Sequence, residues 1–112
     1  MDDLERIEIA ADRLTRAMAH IRGRAVSAQK RLETIDAEMP EKVLAVFLGV
    51  LDATDLARLR RERAACLEAI ADVALVTPAF EKYERRVAYS GPKVRRGEPL
   101  SGIELLLEGV SK

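Results

Sequence analysis

The chain has 112 residues, a length that suits one folded domain and is short for two. Apolar residues make up 48% and charged residues 34%, a balance that excludes an intrinsically disordered protein. The 19 basic and 19 acidic residues cancel, so net charge does not impose binding to nucleic acid or to an anionic membrane.

The first predicted element is a long amphipathic helix over residues 2–38. Its apolar residues recur at spacings of three and four, in the order Leu4, Ile7, Ala11, Leu14, Met18, Ile21, Ala25, Ala28, Leu32, Ile35 and Met39. Pro40 disfavours helical geometry at the residue before it, so we expect the helix to end near Glu38. This apolar row, here called the seam, is typical of helix association. Its expected oligomer or partner contacts are Leu14, Met18, Ile21, Leu32 and Ile35.

A second helical segment is predicted over residues 41–76, directly after the proline. Asp52 and Thr54 are candidate N-caps inside it, so the segment is either one kinked helix or two helices. β-Branched residues within Val43–Leu51 leave a strand there as an alternative. Because the first two segments are nearly equal in length and meet at a proline, we expect an antiparallel hairpin.

A third helix is predicted to start at Thr77-Pro78, with the threonine as N-cap, and to end before Gly91. A linker and a short apolar helix capped by Ser101 are expected to follow. The predicted docking residues of that last helix are Ile103, Leu106 and Leu107. A helix of about two turns is not stable alone, so it packs on the chain itself, on a dimer mate, or in a groove of another protein.

These elements predict an all-α fold, a long coiled-coil-like antiparallel helical hairpin with one or two short C-terminal helices. The predicted division is a helical hairpin or bundle domain at 1–90 and a linker with the apolar helix at 91–112. The seam is longer than residues 78–107 can cover, so we expect a homodimer to complete the bundle.

Residues that commonly build catalytic or metal sites are scarce. His20 and Cys66 are the single histidine and cysteine, so a zinc site drawing on several of these from one chain is excluded. The periodicity places Cys66 in the core and His20 on the polar side. No glycine-rich phosphate loop is present. We therefore predict no catalytic residue, no cofactor or cofactor-binding site, and no metal site.

Basic residues are concentrated in two stretches. Six basic residues and no acid lie from Arg13 to Arg31, and a second acid-free basic stretch covers residues 85–96. The candidate anion- or nucleic-acid-binding face consists of Arg13, Arg16, Arg24, Arg31, Arg95 and Arg96. Its first four members, here called the basic stripe, lie on the first helix and could bind phosphates. The alternative is that the stripe pairs with acids of the facing helix, such as Glu62.

The location predicted from the sequence is the cytoplasm, without membrane contact. The longest apolar run has nine residues, against about 20 for a membrane-spanning helix. Acids near the N-terminus stand where a signal peptide carries basic residues. A single cysteine fits a reducing compartment.

The predicted function is a small non-enzymatic protein–protein interaction module of the adaptor, assembly chaperone or inhibitor type. It is expected to bind itself as a homodimer and to bind another protein. The alternative is a nucleic-acid-binding accessory protein that uses the basic stripe and residues 85–96. Titration with labelled DNA and RNA at low salt distinguishes the two, because phosphate contacts are strongest there.

Overall fold

A computed structural model describes residues 2–95, 97 and 102–110, without the side chains of residues 93–95. Three helices follow in chain order, namely α1 (Asp3–Phe47), α2 (Ala53–Arg95) and α3 (Glu104–Leu107). The two long helices pack as a hairpin, and these residues contain no strand. The predicted all-α hairpin with a short C-terminal helix is therefore confirmed.

The predicted end of the first helix near Glu38 is wrong, because α1 continues through Pro40 to Phe47. A proline has no N–H to donate to the carbonyl four residues back, which weakens an isolated helix. The packing of Leu32, Ile35 and Met39 with residues of α2 just before the proline outweighs that local cost, as tertiary packing commonly does. The strand alternative for Val43–Leu51 is also wrong, and the hairpin turn lies at residues 48–52 instead of at the proline.

The predicted helix start at Thr77-Pro78 and the predicted end before Gly91 are also wrong. Helix α2 is continuous from Ala53 to Arg95 and contains both Pro78 and Pro92. Residues 41–76 therefore contribute to two helices, the end of α1 and most of α2.

The start of α2 follows the predicted N-cap chemistry. Asp52 immediately precedes α2, and Thr54 lies in the first turn of the helix. The backbone N–H of Thr54 donates to Oδ1 of Asp52 at 2.8 Å. This hydrogen bond stabilises the carboxylate and lowers the pKa of Asp52 below its ordinary value. Of the two candidate caps, Asp52 is the one in use.

Residues 21–74 form one compact unit, which contains the hairpin turn. Its core cluster consists of Ala28, Leu32, Ile35, Leu59, Cys66 and Ala69, with Met39 and Ile70 packed against it. The alanines on both helices allow the backbones to approach closely. Two ion pairs cross between the helices outside this core, Arg31 with Glu62 and Arg63 with Asp36.

The described residues within 1–20 and 75–112 form the other compact unit. Its buried side chains in the described ranges are those of Ile7, Ala10, Met18, Ser90 and Ile103. The hydroxyl of Ser90 donates to the carbonyl oxygen of Arg86 at 2.7 Å, so this buried polar group has a partner. Residues 102–110 thus contribute one of the buried side chains of this unit, that of Ile103.

The hairpin turn depends on the backbone conformation of Gly49. Its φ is +75°, its N–H donates to Val46 O at 3.0 Å, and the N–H of Val50 donates to Ala45 O at 2.9 Å. This pair of bonds is the Schellman motif that closes helix C-termini, with glycine at the left-handed position. The motif ends α1 and reverses the chain.

Two glycines are expected to respond oppositely to the same substitution. Gly49→Ala should lower the free energy of unfolding by about 1–2 kcal/mol, because alanine is strained at positive φ. Gly23→Ala should raise it by about 1 kcal/mol, because Gly23 lies inside α1 with nothing within 4 Å of an added Cβ. Urea unfolding followed by circular dichroism measures both changes. Effects of the same sign at both positions would contradict this account of the turn.

Candidate functional site

The hairpin turn carries a cluster of exposed apolar side chains. Leu44 is 58% exposed, Phe47 84%, Leu48 67% and Val50 80%. These four residues, here called the turn cluster, fall within seven consecutive positions. Exposed hydrophobic residues are ordinary when scattered singly, whereas a contiguous apolar patch marks an interaction surface.

The turn cluster is held on an ordered support. The Schellman motif fixes the chain at Gly49, and the N-cap at Asp52 fixes the start of α2. Val46 and Leu51 belong to the same apolar run but are half-buried. The run therefore has a partly packed side and an exposed side. The sequence analysis predicted a helix or a strand for this run and did not identify its exposed side chains as a surface.

A shallow groove of about 430 Å³ lies beside the turn cluster. Its lining residues are Ala37, Glu38, Glu41, Lys42, Ala45, Val50 and Leu51. The groove has an apolar floor of alanine, valine and leucine and a charged rim with two glutamates. Val50 belongs to both the groove and the turn cluster, so the two surfaces are continuous.

A second groove of about 600 Å³ lies beside Pro40. It is lined by Asp36, Met39, Pro40, Arg60, Arg63, Ala64 and Leu67. The ion pair between Asp36 and Arg63, 2.7 Å between Oδ1 and Nε, lies along this groove. That pairing neutralises part of its charged lining.

The predicted seam residues lie inside the fold. Met18, Leu32 and Ile35 are buried, and Leu14 and Ile21 are half-buried. Leu32 and Ile35 belong to the core cluster with residues of α2. A single chain therefore already covers much of the seam, and a role of the seam in oligomerisation stays a prediction.

The basic stripe is partly engaged in contacts within the chain. Arg16 Nε lies 2.9 Å from Oδ2 of Asp12, one turn away, and the Arg16 side chain remains 80% exposed. Arg31 forms a two-point contact with Glu62, with 3.1 Å between Nη2 and Oε2. This hydrogen bonding raises the pKa of Arg31 and lowers the pKa of Glu62.

Other members of the candidate nucleic-acid face have different surroundings. Arg24 is exposed, and Arg13 donates to the C-terminal segment. The side chain of Arg95 and all of Arg96 lie outside the described residues. Nucleic-acid binding stays a prediction, and the pairing of Arg31 agrees with the alternative interpretation of the stripe.

The C-terminal segment, residues 102–110, is attached to both long helices. Arg13 on α1 donates to the carbonyl oxygens of Leu106 at 3.3 Å and Glu108 at 2.8 Å. Arg86 on α2 donates to the carbonyl oxygen of Gly102 at 2.8 Å. These contacts join positions up to 95 residues apart in the sequence, which local periodicity cannot indicate.

The predicted docking residues of this segment have unequal roles. Ile103 is fully buried, whereas Leu106 and Leu107 are half-buried and Leu105 is 61% exposed. Helix α3 begins at Glu104, so the N-cap position falls at Ile103 and not at the predicted Ser101. Ser101 itself lies outside the described residues.

The predicted placements of His20 on the surface and Cys66 in the core agree with the structure. Among the described residues, no group of three or more His, Cys, Asp or Glu side chains is placed to hold a metal ion. In the same part of the chain, no helix combines the length and apolar character needed to cross a membrane.

Comparison of the chain with models of protein families, with curated proteins and with solved structures gave no match.

Proposed function

We propose that the protein is a small, non-enzymatic helical interaction module that binds another protein through its turn cluster. The observation that carries this proposal is the joint exposure of Leu44, Phe47, Leu48 and Val50 on an ordered turn. Full burial of one such side chain contributes about 1.5–3 kcal/mol. A partner that covers the four residues therefore gains a substantial apolar contribution to binding.

The hydrogen-bonded turn that carries the turn cluster favours binding. Association costs free energy when loops and side chains must become ordered. Here the backbone is fixed by the hydrogen bonds at Gly49 and Asp52. Aromatic side chains at the centre of a patch commonly dominate binding energy, and Phe47 is the most exposed large apolar residue among those described. We expect Phe47 to be the main anchor.

Self-association belongs to the same proposal. A stable dimer buries about 800 Å² on each partner, more than four side chains supply, so the groove beside Val50 would have to contribute as well. We further propose a cytoplasmic location, with which the free, buried thiol of Cys66 is compatible.

Two double variants test the turn cluster with matched chemistry. Phe47→Ala with Val50→Ser removes the cluster's anchor, and Leu75→Ala with Val26→Ser changes two comparably exposed apolar residues elsewhere, 73% and 58% exposed. The tagged full-length chains are used to capture partners from cells of origin. Each captured protein is identified by mass spectrometry, purified and titrated by calorimetry.

We expect the turn variant to weaken binding at least tenfold, a change of about 1.4 kcal/mol, and the control variant to bind as the wild type does. Circular dichroism confirms that both variants keep their helices. Equal affinity of the two variants for the purified partner would refute the role of the turn cluster. If no captured protein binds the purified wild-type chain in calorimetry, the proposal that the protein is an interaction module would be refuted.

A further inference from the structure

The C-terminal segment resembles a bound peptide in how it is held. No residue of α3 is buried, and the only fully buried side chain that the described segment contributes is Ile103. Three hydrogen bonds to its backbone carbonyls come from two arginines, Arg13 and Arg86. A four-residue helix has no stability of its own, so these contacts with α1 and α2 determine its position.

The two arginines recognise different ends of the segment. Arg13 donates to carbonyls at the C-terminal end of α3, where the helix dipole favours a cation. Arg86 packs against Gly102, whose φ is +81°. A Cβ built on Gly102 would lie 3.1 Å from both Cδ and Nη1 of Arg86. The positive φ favours glycine at this position, the contact with Arg86 adds to that preference, and the next residue fills the site of Ile103.

The glycine end is reinforced by a contact inside the segment. The N–H of Gly102 donates to Oε1 of Glu104 at 2.9 Å, which lowers the pKa of that carboxyl group. This bond closes a compact turn around Ile103 and presents the Gly102 carbonyl to Arg86. The recognised unit is the contiguous sequence Gly-Ile-Glu-Leu-Leu-Leu-Glu, residues 102–108.

We infer that Arg13, Arg86 and the apolar surface covering Ile103 form a docking site that accepts the C-terminal segment of a second copy of this chain. The segment seated in the structure defines the chemistry of the occupant. A second copy carries the identical segment, so mutual exchange forms a two-fold dimer with the same contacts. This site is separate from the turn cluster and does not depend on the proposed function.

The tethered segment competes with any segment supplied by another molecule. A short tether gives an effective concentration in the millimolar range, so the wild-type site is largely occupied by its own chain. Removing the chain's own segment from the site should expose it to a peptide. This competition makes the docking site measurable.

The probe is a fluorescein-labelled peptide with the sequence of residues 101–110, titrated against full-length chains by fluorescence anisotropy. The Ile103→Asp variant should bind the peptide at least tenfold more tightly than the wild type does, because a buried carboxylate expels its own segment. Gly102→Val provides a second way to displace the segment, since valine is strained at positive φ and meets Arg86. Circular dichroism checks that both variants remain helical.

Matched arginine variants test the hydrogen bonds. Adding Arg13→Ala to Ile103→Asp should weaken peptide binding at least fivefold, whereas adding Arg16→Ala, from the same helix, should leave it unchanged. The inference would be overturned if the Ile103→Asp and Gly102→Val chains stay helical but do not bind the peptide at concentrations up to about 1 mM. Equal binding of a peptide that carries aspartate in place of Ile103 would also overturn it.

Sedimentation equilibrium tests whether a second copy of the chain occupies the docking site. At about 0.5 mM, wild-type chains should contain dimers, and a tenfold excess of the peptide should dissociate them. The Ile103→Asp chain should form fewer dimers under the same conditions. A strictly monomeric wild type, or dimers that resist the peptide, would overturn the assignment of the second copy. The same measurement on chains that also carry Phe47→Ala with Val50→Ser removes any dimer held by the turn cluster, so these outcomes are independent of the proposed function.

Discussion

Ile35→Ala is expected to lower the free energy of unfolding by about 2–5 kcal/mol. Ile35 is 0% exposed and belongs to the core cluster between α1 and α2. The substitution removes apolar contacts and leaves a cavity that the two packed helices cannot close completely. Domains of this size have a total stability of about 5–15 kcal/mol, so a large part of it would be lost. Urea unfolding monitored by circular dichroism gives the value.

Ile9→Ala is the matched control, with the same chemistry on the same helix. Ile9 is 37% exposed, so water already reaches part of its side chain and a cavity does not form. We expect a loss of less than about 1 kcal/mol. If the two substitutions cost the same, the assignment of the core to the inner face of α1 is incorrect.

Pro40→Ala is expected to raise the free energy of unfolding by about 2 kcal/mol. A proline inside a helix costs about 3 kcal/mol relative to alanine, and part of this gain is offset because alanine leaves the unfolded chain more flexible. Pro40 lies well inside α1, five residues beyond buried Ile35. The midpoint of urea unfolding should therefore move to higher concentration. Pro78→Ala in α2 should act in the same direction.

Pro92→Ala is the control for this effect. Pro92 lies three residues before the end of α2, where helices fray and a missing hydrogen bond costs less. We expect a change of less than about 1 kcal/mol. A destabilising effect of Pro40→Ala would contradict this prediction and show that packing of the proline ring at the groove outweighs its helical cost.

Periodicity predicted the inner face of the hairpin because that property is local. An apolar residue every three or four positions places Met18, Leu32 and Ile35 on one side of α1, and all three are buried. The same spacing placed Cys66 inside and His20 outside, as the structure does. Helix type and core face therefore follow from residue spacing alone.

Helix ends could not be predicted from the prolines. Pro40, Pro78 and Pro92 were all expected to interrupt helices, yet each lies inside one. The local penalty of a proline, about 3 kcal/mol, competes with side-chain burial along the whole 45-residue helix. A short stretch of sequence does not show that burial. The signal that does end α1 is Gly49, the glycine of the Schellman motif.

Neither candidate surface could be derived from local patterns. Whether Phe47 is exposed depends on where the chain reverses, and the predicted reversal at Pro40 placed it in the second helical segment instead of at the end of α1 next to the turn. The contact of Arg13 with Glu108 joins the two ends of the chain. The sequence did indicate an apolar C-terminal helix in need of a binding site, but not the two arginines that bind its backbone.

The ion pairs across the hairpin have opposite orientations. In one pair α1 supplies the cation, Arg31 for Glu62, and in the other α1 supplies the anion, Asp36 for Arg63. Such exposed pairs contribute little to stability, and an apolar row repeating every three or four residues tolerates a slip of one helical turn. A slip separates both pairs and brings Glu62 and Arg63 next to other side chains. The alternating charges therefore select one alignment of the two helices, and their main contribution is to conformational specificity.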